Sequence, residues 1–165
     1  MYLLKVVVKT RITIKNVDEN MREFENPIDA AVGLIPVVHS GVIKLAGIIR
    51  GKATDDGFGK AALVGGYVNK GESIEEAIAR EAQEEIGFGS SPDAWRLLHS
   101  RHIQGKNINL VFCLYQDILK TDILLNTVPN EEVARGIYID DRTPLAFPLH
   151  EEAVELYYSR YQRKA

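Results

Sequence analysis

Glu81, Glu84 and Glu85 stand at i, i+3 and i+4 in the segment IEEAIAREAQEEI (74–86). At about 100° per residue of helix, with Glu81 at 0°, Glu85 falls near 40° and Glu84 near −60°, so the three carboxylates share one face. Ile74 (near 20°), Ala77 (near −40°) and Ile78 (near 60°) lie along the same stripe, at about 100° per residue. A solvated acidic face would point away from Ile74 and Ile78, and like charges at these spacings repel. A bound cation resolves both conflicts. Hard carboxylate oxygens with no Cys or His beside them select Mg²⁺ or Mn²⁺, and Mg²⁺ ordinarily works with a phosphate-bearing substrate. Residue types and spacing point to a divalent-metal phosphate site.

The elements around these acids are legible too. Ser73 followed by Glu76 is a capping box, the segment is rich in good helix formers, and Gly87 stands where a C-terminal cap belongs. The preceding run GYVNKGES (66–73) is a near miss to a phosphate-binding P-loop, with Glu72 where the loop lysine would be. A carboxylate there repels phosphate, which excludes that ATPase reading. Glu72 instead has an opposite charge in Arg80, two helical turns on, which would brace loop against helix.

Further out, residues 4–14 alternate in the manner of a half-buried strand, and 16–27 read as a polar loop. Residues 30–38 and 41–51 read as a hairpin, with Pro36 near a strand end or edge. A turn-rich loop (53–60), a short apolar segment (61–64) and an irregular glycine-bearing run lead into the helix. Residues 108–116 and 134–140 read as strands, and the tail from Leu149 to Gln162 as an amphipathic helix. No repeat or linker interrupts the 165 residues, so one α/β or α+β domain is expected, with 1–25 as an N-terminal extension. The chain is 45% hydrophobic and 26% charged, with 20 Lys+Arg against 23 Asp+Glu and a net charge of −3. That balance excludes the disordered class and argues against binding a nucleic-acid polymer. No apolar run is long enough for a membrane span, charges interrupt the N-terminal apolar stretch as no secretory signal allows, and the single cysteine, Cys113, fits a reducing cytoplasm.

The segment from Gly66 through Glu72, Arg80, Glu81, Glu84 and Glu85 to Gly87 and Phe88 resembles the Nudix box, G-x5-E-x7-R-E-U-x-E-E-x-G-U. All seven fixed positions are filled at the family's spacing, and Ala82 and Phe88 fill the hydrophobic ones; the box covers 23 of 165 residues. The resemblance implies an α/β/α sandwich with a mixed sheet, a catalytic loop–helix–loop and a C-terminal helix. It implies Mg²⁺ or Mn²⁺ held by Glu81, Glu84, Glu85 and the Gly65 carbonyl, with Arg80 and Glu72 fixing the loop on the helix. The implied reaction is hydrolysis of a nucleoside diphosphate linked to another group X, water attacking phosphorus. The base would be Glu81, or a glutamate of the loop before the final strand, Glu131 or Glu132. A nucleotide-sensing module without catalysis and a nucleoside triphosphate pyrophosphatase are the alternatives.

Two departures stand out: Ala61-Ala62-Leu63-Val64 replaces the common W-A-L-P before the glycines, and Asn69 stands where an acid is common. Asn26-Pro27, and Leu145-Ala146-Phe147-Pro148 with His150, look like features of members that cleave ADP-ribose, NADH or related dinucleotides. Arg50, Lys60 and Phe147 are candidate substrate contacts: two cations for phosphate and a ring for stacking. Lys44 is a further cation, and Tyr138 a further ring. His99 and His102 lack nearby cysteines and read as structural, Cys113 reads as a buried thiol, and Tyr157, Tyr158 and Tyr161 as core or dimer contacts. The strand at 4–14 offers a route to a homodimer.

Overall fold

Ile28–His39 (β1) is nearly unbroken apolar sequence because both of its faces are covered. The computed structural model describes residues 26–53 and 56–161; the strand read at 4–14 and nearly all of the polar loop lie outside the described residues. The first half of β1 pairs parallel with β5 (Ile108–Tyr115), from Ile28 opposite Ile108 to Leu34 opposite Leu114. Its other side pairs antiparallel with β3 (Ala61–Tyr67), Ala30 opposite Tyr67 and Gly33 opposite Val64. The second half turns through Ser40 and Gly41, both at positive φ (51° and 79°), into the hairpin partner β2 (Val42–Arg50). β4 (Trp95–Ile103) borders β5 and β6 (Val133–Ile139) borders β2, both antiparallel, giving the mixed six-stranded order β4-β5-β1-β3-β2-β6. Pro36 sits just past the end of the β5 pairing, where its carbonyl accepts from Leu119 N–H.

A helix covers each face. The helix α1 (Ile74–Ile86) buries Ala77, Ile78, Ala82 and Ile86 against Ala31, Ile35, Val37, Ala46 and Ile48. Ala153, Val154 and Tyr157 of α2 (Pro148–Tyr161) pack on the opposite face with Val32, Leu34, Leu45, Leu63 and Phe112. The odd and even residues of β1 thus serve different helices, which is the two-residue period of a strand. This is the α/β/α sandwich that the box implied, with the hairpin and the C-terminal helix where the sequence placed them. Cys113 is fully buried, and burial pushes its thiol up to about 12, so it is an inert core group.

Two elements differ from the sequence reading. Residues 95–103, which carry no clear strand pattern, form β4: an edge strand with a bulge near His99 and a mostly exposed polar surface, so its apolar alternation is weak. The strand β3 does not stop at Val64 but runs through Gly65 and Gly66 to Tyr67. Glycine is needed there because a Cβ at Gly65 would overlap the Ala31 carbonyl, and one at Gly66 would overlap the Glu81 carboxylate.

His150 completes β3. Beyond Gly33, β1 leaves β3 for β2, and the chain at 145–150 takes its place: Ala146 N–H donates to Ala61 O at 2.7 Å, and Leu63 N–H to His150 Nδ1 at 3.2 Å. Burial depresses His150 from 6.5 to about 4, with the Arg50 charge adding to the effect. Below pH 6.5 the unfolded chain therefore binds more protons than the folded one. Stability from the neutral imidazole is complete above pH 6.5 and is lost as pH falls toward 4, on the order of 3 kcal/mol at most. Urea midpoints measured from pH 7.5 to 4.5 are expected to fall more steeply for the wild type than for His150→Gln; parallel slopes would disprove the assignment.

Candidate active site

The acids are positioned from both ends of α1. At its start, Ser73 Oγ accepts from Glu76 N–H at 3.1 Å, and Glu76 Oε2 accepts from Ser73 N–H at 2.8 Å, completing the capping box. At its end, Gly87 takes the left-handed conformation (φ 67°) and the last carbonyls are closed by Gly87 and Phe88 N–H. Between them the carboxylates grade from solvent to core: Glu84 has a side chain 59% exposed, Glu81 13%, and Glu85 is buried. Glu85 Oε2 accepts from Gly65 N–H at 2.9 Å, which ties the helix to β3. Burial pushes Glu85 up to about 8, with the charges of Glu81 and Glu132 adding to the rise and the Gly65 bond and Arg50 opposing it. Glu81 is also raised, chiefly by burial, against the pull of Arg80.

Arg80 is the hub. Its Nε and Nη2 donate to the two Glu72 oxygens at 2.8 and 3.0 Å, Nη2 also reaches Tyr67 O at 3.0 Å, and Nη1 meets Glu81 Oε1 at 2.6 Å and Glu84 Oε2 at 3.3 Å. Glu72 is further held by Asn69 N–H at 2.9 Å, and the Arg80 bonds keep its carboxyl below the usual range. The loop–helix brace expected between Glu72 and Arg80 is therefore present.

The model of the NUDIX domain matches residues 30–151. This chain belongs to that family. Its box is intact, and solved structures carry the same fold at low identity. A MutT/nudix family protein from Enterococcus faecalis superposes with a TM-score of 0.70 at 19% identity, covering 88% of this chain and 66% of that one. The chain thus spans just under two thirds of that protein's length. The NUDIX domain of Shewanella oneidensis NrtR, solved as a complex with ADP ribose, gives 0.67 at 16% identity over 83% of this chain and 90% of that one. A C. elegans Ap4A hydrolase gives 0.60 at 16% identity over 80% and 96%. No curated protein matches the sequence.

Other residues of this Nudix site reach it from outside the box. Arg50, at the end of β2, lies close enough for its charge to act on Glu85, while its Nε donates to Asp56 O at 2.8 Å and its guanidinium sits 4.9 Å above the Phe147 ring. Phe147 is part of the packing around the α1-side core and meets His150 edge-on at 5.0 Å. Of the two loop acids, Glu132 acts electrostatically on both Glu81 and Glu85, whereas Glu131 lines a cleft with Gly51, Lys52 and Phe58. Lys60 is exposed, and no ion pair joins it to the acids among the described residues. Lys44 pairs instead with Asp140, Tyr138 stacks on His39, and Tyr157 and Tyr158 pack around α2. His99 stacks on Phe112, and His102 meets Asn109. His150 was the residue whose role the sequence concealed, because a buried strand cap has no spacing signature.

Among the described residues, no three His, Cys, Asp or Glu side chains converge as a ready-made metal cluster. Glu81 and Glu84 share Arg80, and Glu85 is turned to Gly65. The donor set nevertheless fits a hard divalent ion. Two largely buried carboxylates and one mobile-length exposed one lie on one helix edge, and a cation would offset the desolvation that raises Glu81 and Glu85.

The two glycines separate fold from activity. Gly66→Ala is expected to displace the flexible Glu81 carboxylate, reducing kcat by roughly tenfold to a hundredfold at nearly unchanged stability. Gly65→Ala meets backbone instead and is expected to cost about 2 kcal/mol or more. Urea titrations beside steady-state kinetics on both variants check this; equal stability losses would defeat it.

Proposed function

We propose that this Nudix protein hydrolyses the diphosphate linkage of a nucleoside diphosphate joined to another group X, with Mg²⁺ or Mn²⁺ held by Glu81, Glu84, Glu85 and the Gly65 carbonyl. The observation that carries the reading is the buried Glu85 carboxylate fixed on Gly65 N–H, with Glu81 beside it and Arg80 behind it. The metal would polarise the phosphoryl oxygens and acidify the attacking water. Glu81, Glu84 and Glu85 present the negative charge that holds it, and Arg80 with Glu72 keeps Glu81 in place. Arg50 supplies a cation on the substrate's side of Glu85. Glu132, on the loop before β6, is the acid outside the helix closest in electrostatic reach, and it would take the proton from the attacking water.

For the substrate, an ADP-ribose-like or NADH-like dinucleotide is favoured. Support comes from the likeness to a NUDIX domain solved with ADP ribose, and from Phe147 and Arg50 stacked at the edge of the site. The test is a panel of ADP-ribose, NADH, diadenosine polyphosphates, nucleoside triphosphates and sugar nucleotides with Mg²⁺ or Mn²⁺, read by product analysis. Release of a nucleoside monophosphate from a dinucleotide is expected. If no member of the panel is cleaved, the reading fails; if only triphosphates yield pyrophosphate, the substrate assignment is wrong.

A further inference from the structure

A cleft of about 700 Å³ opens where β2 leaves the sheet and the chain enters β6, lined in part by Lys52, Ala53, Phe58, Glu131 and Ala134. Its wall is made by backbone pairing: Gly51 N–H donates to Glu132 O at 2.6 Å and Ala53 N–H to Glu131 O at 2.8 Å. The cleft is therefore joined to the acidic site through consecutive residues. Glu131 lines it, and Glu132 acts on Glu81 and Glu85.

The lining chemistry is specific. Phe58 is 58% exposed and belongs to neither core cluster. A single exposed apolar residue on a surface is unremarkable in itself, but this ring is presented into a concavity. Its immediate neighbours are held, with Gly57 and Gly59 at φ 76° and 74°, Lys60 N–H on Gly57 O and Gly59 N–H on Arg50 O, both at 3.0 Å. Lys52 and Glu131 oppose each other in charge, so the cleft offers no net attraction to a phosphate. The cations and acids that would handle phosphate, Arg50 and the α1 glutamates, lie to one side. What remains is a planar, uncharged group that stacks on a ring and donates to a carboxylate. The volume falls within the range of small-molecule sites.

We propose that this cleft is the nucleobase subsite, with Phe58 as the stacking platform and Glu131 as acceptor for an exocyclic amino group of the base. This rests on the hydrolase reading above and assigns the half of the substrate that the acidic site does not hold.

Two measurements test it. Phe58→Trp adds an exposed indole to a chain whose own Trp95 is buried. At least one of AMP, GMP and CMP is expected to quench its emission, and ribose 5-phosphate is not. In steady-state kinetics on the substrate found by the panel, Phe58→Ala is expected to raise KM roughly tenfold with kcat within about twofold, and Phe58→Tyr to restore KM. Equal quenching by ribose 5-phosphate, no quenching by any nucleotide, or an unchanged KM in Phe58→Ala overturns the proposal. The Glu85→Gln variant separates the two readings. Turnover that depends on Glu85 while Phe58 proves indifferent rejects the cleft alone. Base-dependent quenching without turnover on any substrate supports the cleft and rejects the hydrolase.

Discussion

Glu85→Gln is expected to lower kcat by on the order of a thousandfold or more while leaving the metal-free fold at least as stable as wild type. The amide is nearly isosteric, so it opens no cavity, and its carbonyl oxygen accepts the same Gly65 N–H that Glu85 Oε2 accepts at 2.9 Å. What it removes is a carboxyl whose ionised form is expensive to bury, as the rise to about 8 shows. In the absence of metal, that removal costs nothing. In the presence of metal, it deletes a ligand charge, and several kcal/mol of transition-state stabilisation correspond to the stated factor. A ligand that binds only the folded state raises its stability by mass action. Mn²⁺ should accordingly raise the wild-type Tm and have a much smaller effect on the variant, while the two melt alike, or the variant higher, in EDTA. Calorimetric melts with and without Mn²⁺, beside single-turnover rates, check both halves. A variant that keeps more than a tenth of wild-type kcat, or gains the same Tm from Mn²⁺, would remove Glu85 from the metal site.

Much of this arrangement was legible because it is local. A helix with three acids along its apolar stripe is a conflict visible in thirteen residues, and a capping box and a left-handed glycine mark its ends. The Glu72–Arg80 brace is likewise a matter of spacing and charge. The gradient from exposed Glu84 to buried Glu85 was not legible, since it depends on where β3 crosses the helix. Nor was the role of the paired glycines, which read as irregular chain until the Ala31 carbonyl and the Glu81 carboxylate are seen against them. Edge strand β4 escaped because one bare edge and a bulge blunt the alternation that reveals inner strands. Arg50 and His150 could be named from the sequence, but not what they do: each acts across a long sequence separation, on Glu85 and on Leu63, and no pattern within a window records it.

Arg80→Lys is expected to retain the charge and still lose roughly tenfold to a hundredfold in kcat, with KM little changed. A lysine ammonium is a point donor without the planar fork, so it cannot replace bonds from Nε, Nη1 and Nη2 to Glu72, Glu81, Glu84 and Tyr67 O at once. Arg80→Met goes further, because it leaves Glu72 and Glu81, with side chains 15% and 13% exposed, without their cation. Stranding partly buried carboxylates in this way costs on the order of 2 kcal/mol after allowance for solvent screening. The two consequences part in a double-mutant cycle. Adding Glu72→Gln to Arg80→Met removes one stranded charge and is expected to recover about half of the lost stability. It does nothing to re-seat the Glu81 carboxylate on Gly66, so kcat stays low. Urea midpoints and kcat for the two single variants and the double variant decide the matter. If kcat recovered in step with stability, Arg80 would act on the reaction only by keeping the loop folded, and its hold on Glu81 would carry no catalytic consequence.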